Sequence, residues 1–395
     1  MPQQSLTMEK AIQEWWAKRP HRSTDELLKA ISALERQYGT RLPSREKFKM
    51  LCEIPPEILK RSGRSTKFTA PTDIGEEAAL KLCGQLLDAK HYDLLFDKTG
   101  MVVTPDREPL AILLKKSLPQ ELLNAARPVV RKAAHRKISA GNRGVAAGTG
   151  MQPRRRKDGT VGKIKGVPLL EDLSDEDYKR LGPARDGTWG FSSRSVRGGQ
   201  VYPCRLTMYS GALPSELRVM SELATAVGES FRRSWVQDRW EAQFEKASNT
   251  PLAFLIRTPE GRTPFTTITC NNRWRTAAHI DKGDLKEGFG VLCCLGDFKG
   301  CELVFPRYRV AVRYEEGDVL LANVHHVHGN TPLLTPEGKV PLPGREPERL
   351  VCVFYYQETM DQCESTMEKE LEFINRREKG DRMRKSKAKA KGAGK

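Results

Sequence analysis

Residues 275–284 read RTAAHIDKGD and residues 317–332 read GDVLLANVHHVHGNTP, and these two segments decide the fold. Together they hold four of the chain's seven histidines, His279, His325, His326 and His328, and the well-spaced carboxylate Asp281. Side chains alternate between the faces of a strand, so His279 and Asp281, two apart, point the same way and can meet on one ion. A third ligand must come from elsewhere, and the histidines that close the later apolar block can supply it. An H-x-D pair alone is common by chance. Followed by short strands, a His and then an arginine entering a strand, it is far more specific. That arginine is Arg349 in ERLVCVFYYQ, residues 348–357. At the mouth of a strand its planar, bidentate guanidinium suits a carboxylate.

Two neutral imidazoles and one carboxylate leave the opposite positions of a metal open, which is the donor set of non-haem Fe(II) centres. The surrounding sequence is a series of short apolar or β-branched runs: PLAFLIR, PFTTITC, GVLCCL, CELVF, YRVAVR, GDVLLA and RLVCVFYY. Broken by Gly, Asp and Pro turns, such runs predict a β-sandwich or jelly roll.

HIDKGD, GDVLLANVHHVHGNTPL and ERLVCVFYYQ resemble the core of TET/JBP-type dioxygenases dependent on 2-oxoglutarate and Fe(II), particularly the fungal and algal branch. The resemblance covers roughly the second half of the chain. The run His328-Gly329-Asn330-Thr331-Pro332-Leu333 matches the family's distal ligand better than His325 or His326 does. What the resemblance implies is an α+β protein with a double-stranded β-helix (jelly-roll) oxygenase core and flanking helices. Fe(II) would sit on His279, Asp281 and His328, with 2-oxoglutarate pairing its far carboxylate with Arg349. Arg275 and Arg273 would offer second contacts to the co-substrate or DNA. Asp284, His326 and Asn330 are candidate substrate contacts. The implied substrate is 5-methylcytosine in DNA, which must leave the duplex to reach such a pocket. Two departures matter: the Pro-rich segment before Arg349 is long and offers Arg345 as a rival, and algal relatives can use ascorbate instead of 2-oxoglutarate. The alternatives are an RNA- or protein-directed oxygenase and a non-catalytic DNA-binding protein on the same fold.

A formal charge of +17 favours polyanionic partners. The positive charge is concentrated in two places. Residues 131–166 carry eleven Lys or Arg against one acid, Asp158, among several glycines. Such a loop, with Arg143, Arg154, Arg155 and Arg156, can displace counterions from a phosphate backbone. Residues 376–395 carry ten Lys or Arg in a low-complexity context that suits nuclear import or an auxiliary DNA contact. No apolar run reaches about 18 residues, so no membrane helix is expected. Nine cysteines, an odd number without C-x-x-C spacing, suggest reduced thiols and an intracellular protein, and the basic tail makes the expected compartment the nucleus.

The expected organisation is a helical extension over 1–91, a dioxygenase domain over 92–372 and a basic disordered tail over 373–395. In the extension a helix is expected from Glu76 to Lys90. In the domain, strands around 92–115 precede a helix capped by Ser117, and one long helical region runs from Glu216 to Phe244, with Trp235 and Trp240 packed on the core.

Overall fold

In the computed structural model, residues 67–134, 186–197, 200–258, 261–342 and 345–392 are described, with the single positions 33, 36 and 146. In chain order the strands are β1 (Lys67–Thr69), β2 (Leu94–Phe96), β3 (Gly100–Val103), β4 (Pro109–Leu114), β5 (Asp186–Ser192) and β6 (Arg205–Leu206). They continue with β7 (Thr267–Asn272), β8 (Gly290–Leu295), β9 (Leu303–Phe305), β10 (Val310–Val312), β11 (Val319–Ala322), β12 (Gly329–Asn330) and β13 (Leu350–Tyr355). The helices are α1 (Glu76–Leu80), α2 (Gln120–Ala133), α3 (Met208–Ala212), α4 (Pro214–Arg232), α5 (Gln237–Asn249) and α6 (Met367–Gly392). Short two-stranded ribbons join some of these elements.

Nine strands form one large sheet in the order β1-β3-β4-β11-β8-β13-β7-β5-β6. Four form a small one in the order β12-β9-β10-β2. All pairings are antiparallel except β1–β3 and β10–β2. The strand-by-strand alternation divides the core. Val291, Cys293, Leu295, Leu350, Cys352 and Phe354 face α2, α4 and α5, where Leu123, Val130, Leu223, Val227 and Phe231 close one apolar cluster. Leu292, Cys294, Leu320 and Val351 face the other way and meet Leu303, Phe305, Val310 and Val312 of the small sheet, with Tyr314 just beyond it. This is a jelly-roll core with helices packed on one face, as the short apolar runs predict.

Several local expectations are corrected. The boundary at 91/92 cuts through this unit, because β1 pairs with β3 and Ala79 and Leu87 pack with Ala278, Val304, Ala311 and Val327 on the outside of the small sheet. The helix expected over Glu76–Lys90 stops at Leu80, where Gly84, with positive φ, and the turns before it lead into a 3-10 turn at Ala89–His91. Ser117 does not cap α2, whose N-cap position is Pro119; the Ser117 hydroxyl donates to the Leu114 carbonyl instead. The long helical region is two helices, broken between Arg232 and Gln237, with Trp235 and Trp240 against the apolar cluster as expected. Residues 373–392, expected to be disordered, continue the helix α6. The thiols are not all reduced: Cys204 and Cys363 form a disulfide, a pairing that 159 residues of separation hide from the sequence.

Candidate metal and co-substrate site

His279 and His328 face each other across an isolated antiparallel bridge. Each backbone N–H donates to the other residue's carbonyl, at 2.8 and 2.9 Å. Directly opposed residues of such a pair project to the same face, so the two rings lie with centroids 4.4 Å apart. The strands approach this closely because residue 329 is glycine: a Cβ there would stand 2.9 Å from the Ala278 nitrogen. Two residues beyond His279, the Asp281 N–H donates to the Val324 carbonyl, which brings the carboxylate in beside both rings. Asp281 Oδ1 lies 3.5 Å from His279 Nε2, and Oδ2 lies 3.6 Å from His328 Nε2.

The other ring nitrogens are anchored. His279 Nδ1 is 2.7 Å from the Ala277 carbonyl and His328 Nδ1 is 2.9 Å from the His326 carbonyl. A carbonyl can only accept, so each Nδ1 carries the proton and each Nε2 turns its lone pair toward Asp281. Outer hydrogen bonds of this kind orient metal-bound imidazoles. One ligand atom from each of the three residues lies within 4.8 Å of the others. His328 is buried, and Asp281 remains about a third exposed, so the site opens on the carboxylate side. The donor set fits a divalent ion with open positions.

The neighbouring histidines do not join it. His325 Nε2 lies 3.1 Å from the Leu285 carbonyl, and His326 meets Tyr308 edge-on. Burial first, then the nearby Arg307 charge, lowers the His326 pKa. Among the described residues the other candidate metal cluster is Cys204, Cys363 and Glu370. There the sulfurs are bonded to each other, and the Glu370 oxygens accept from Arg194 and from the Cys204 and Glu364 N–H groups.

Arg349 stands immediately before β13, two residues from Val351, whose side chain points between the sheets. Its guanidinium takes the same side, over Phe298 and Tyr314, with their ring centroids 5.5 and 5.9 Å from it. Gly296, at φ 125°, lets the end of β8 pass beneath it, since a Cβ there would meet the Glu348 carbonyl at 2.1 Å. Arg349 is only 2 % exposed. It donates to the Tyr314 hydroxyl at 2.9 Å and to the Trp274 carbonyl at 3.4 Å, and its Nε has no partner. Among the described residues no carboxylate pairs with it. A buried cation left so is costly. An anionic ligand inserted between the sheets would complete it, so the residues present fit 2-oxoglutarate as well as the metal.

The remaining expected site residues divide. Arg275 is committed to backbone, donating to the Leu87 and Asn330 carbonyls, which makes it a strut and not a co-substrate contact. Arg273 lies near Glu346 and Arg345 is outside the ion pairs of the described residues. Asn330 holds the distal strand: its Oδ1 accepts from Thr276 Oγ1 at 2.6 Å and its Nδ2 donates to the Cys301 carbonyl at 3.1 Å. With both ends of its amide in use, it positions His328 and does not reach substrate. Asp284 is half-buried beside Asp281; burial and then the Asp281 charge raise its pKa. Arg143, Arg154, Arg155 and Arg156 lie outside the described residues. Ala146, in the same basic tract, is buried, and its carbonyl accepts from the Ala277 N–H, two residues before His279. Sequence reasoning missed Tyr314 and Asn271, whose buried Oδ1 has no partner. Asn271 lies opposite Val351 in the register, and Cys270 and Ile268, facing the helices, place it by alternation on Arg349's side.

Residues 201–358 match the family model Tet_JBP, described as the oxygenase domain of the 2OGFeDO superfamily. That segment is similar to a TET/JBP-type oxygenase domain. It contains all three histidine and aspartate ligands and Arg349, while β1 to β5 of the same core precede it. Superfamily members of this kind use Fe(II) and 2-oxoglutarate, and the His279, Asp281 and His328 cluster is the matching donor set. The domain is 37 % identical over 132 residues to "Thymine dioxygenase JBP1" of Leishmania braziliensis, 33 % of this chain and 15 % of that protein. It is 40 % identical over 137 residues to the protein of that name in Crithidia fasciculata, 34 % of this chain and 15 % of that one. The chain therefore spans a small part of these relatives' length. A solved structure, "NgTET1 in complex with 5mC DNA", aligns over 77 % of this chain and 100 % of that one at 12 % identity and a TM-score of 0.43.

Proposed function

We propose that this chain oxidises the 5-methyl group of 5-methylcytosine in DNA, using Fe(II), O2 and 2-oxoglutarate. The observation that carries the proposal is the convergence of His279, Asp281 and His328, together with a buried Arg349 that pairs with no carboxylate among the described residues, in a segment that matches a TET/JBP-type domain. When bound, the iron and its co-substrate supply the oxidation of a C–H bond. The protein's part is orientation. The Nδ1 anchors hold both imidazoles with Nε2 inward, Arg349 fixes the far carboxylate of 2-oxoglutarate, and the closed inter-sheet cluster keeps water from that end. A methyl group on a stacked base cannot reach this depth, so the nucleotide is extruded. Asp284, close enough to Asp281 to feel its charge, would be the contact to the base edge. The arginines of the basic tract that contains Ala146 would grip the phosphate backbone. The fungal or algal placement rests on the motif resemblance, and nuclear residence on the basic C-terminal segment.

Mass spectrometry of nucleosides after incubating methylated duplex DNA with the protein, Fe(II) and 2-oxoglutarate tests this. 5-Hydroxymethylcytosine is expected, with loss of it in Asp281→Ala. No new nucleoside from folded, metal-loaded protein would refute the substrate. The names of the relatives favour a second reading, oxidation of the thymine methyl group, which the same digest would show as 5-hydroxymethyluracil.

A further inference from the structure

The ligands of the metal cluster come from two segments, 279–285 and 323–328, which backbone hydrogen bonds join at the His279–His328 bridge and from the Asp281 N–H to the Val324 carbonyl. A side chain adds a further tie. The half-buried His325 ring crosses to the far end of the Asp281 loop, with Nε2 3.1 Å from the Leu285 carbonyl. A carbonyl can only accept, so His325 carries its hydrogen on Nε2, the opposite tautomer to His279 and His328. That nitrogen donates whether the ring is neutral or protonated.

The turn beneath the ring fixes its direction. The Asn323 N–H donates to the Leu110 carbonyl, extending the β11–β4 pairing, and the Asn323 carbonyl accepts from the His326 N–H. Asn323 Oδ1 also accepts from the His325 N–H. On its other side the Asp281 loop is held by backbone, with the Glu358 N–H on the Gly283 carbonyl and the Leu285 N–H on the Tyr356 carbonyl. Asp281 itself is about a third exposed, so its carboxylate goes where the loop carries it. The Leu285 carbonyl accepts from the Gly288 N–H as well, at 3.0 Å. Losing the ring therefore leaves no bare buried acceptor and costs the fold little.

We infer that His325 is a positioning residue for the metal: its Nε2–H pins the loop that carries Asp281 to the turn that carries His328, keeping carboxylate and imidazole at coordinating separation. The inference rests on His279, Asp281 and His328 holding the ion.

The test is Mn(II) titration, followed by electron paramagnetic resonance, of wild type, His325→Ala, His325→Asn and His325→Gln. The amide nitrogen of Gln reaches as far along the side chain as Nε2, and that of Asn stops one atom short. His325→Ala and His325→Asn are expected to weaken Mn(II) about tenfold, with His325→Gln within about twofold of wild type. The metal-free melting temperatures should agree within about 3 °C, whereas a merely structural role would lower them and leave affinity unchanged. Equal affinity in wild type and His325→Ala, or His325→Gln no tighter than His325→Asn, overturns the inference. Should His325→Ala not fold, proton–nitrogen NMR of the Zn(II)-loaded wild type decides, with the His325 signal assigned by its absence from His325→Gln. An Nε2–H tautomer supports the tie, and an Nδ1–H tautomer contradicts it. A wild type that binds no Mn(II) removes the metal site and this inference together. The expected order of affinities in a protein that oxidises no methylated base retains the inference and removes only the proposed substrate.

Discussion

The two faces of the large sheet are made from the same strands and obey opposite rules. Toward the helices, β8 and β13 present Val291, Cys293, Leu295, Leu350, Cys352 and Phe354 to a closed apolar cluster. Toward the small sheet, the alternate positions include Arg349, opposed by Tyr314, and across the register Asn271 with its unpartnered oxygen. One face makes stability. The other gives up stability for a site in which polar groups wait for ligands, so substitutions on the two sides should separate folding from binding.

The largest effect is expected at the metal. Asp281→Ala removes the one anionic donor and should abolish divalent-ion binding and oxidation while leaving the melting temperature of the metal-free protein nearly unchanged. Next is Arg349→Met, which removes an unbalanced buried charge and keeps an apolar side chain of similar length. 2-Oxoglutarate affinity should fall about 100-fold or more, as for loss of a charged anchor, yet the unliganded protein should melt no lower than wild type. Its counterpart across the sheet is Leu223→Ala in α4, a fully buried position. Denaturant titration should show a loss of about 2–5 kcal/mol, with 2-oxoglutarate affinity per folded molecule unchanged. If Leu223→Ala altered affinity and Arg349→Met destabilised the fold, the two faces would not be distinct.

Smaller effects come from parts that hold the site in place. Asn330→Ala cuts the tie between Thr276 and the distal strand and should weaken metal binding about tenfold, the low end for outer supports. Arg131→Ala at the end of α2 should cost about 0.2–1 kcal/mol, since the pair with Glu348 is partly exposed. Its signature is in pH. The Arg131 hydrogen bond is the main cause that lowers the Glu348 pKa. The pair's contribution is therefore present above the ordinary carboxylate range and lost as pH falls through the folded-state value. Arg131→Ala should flatten that acid-side loss of melting temperature and leave neutral and alkaline pH nearly unaffected.

Much of this was legible in the sequence because it is local or periodic. The H-x-D spacing, the strand runs GVLCCL, GDVLLA and RLVCVFYY, and an arginine opening a strand all follow from two-residue alternation. His328 over its two neighbours came from the run that follows it, and the bridge to His279 brings it to the other two ligands. What escaped is long-range. The β1–β3 pairing, the Cys204–Cys363 bond and the meeting of Tyr314 with Arg349 join segments whose partners no local pattern specifies. Arg275 looked like an anion contact because charge is visible in a sequence; that two carbonyls already occupy it is not.

The central claim is tested most directly by counting bound Mn(II) by electron paramagnetic resonance in wild type and in His279→Ala, Asp281→Ala and His328→Ala. One tightly held ion per wild-type chain and none in each variant is the expected result. Undiminished binding in any of the three, with the fold intact by circular dichroism, would contradict a single ion shared by these side chains.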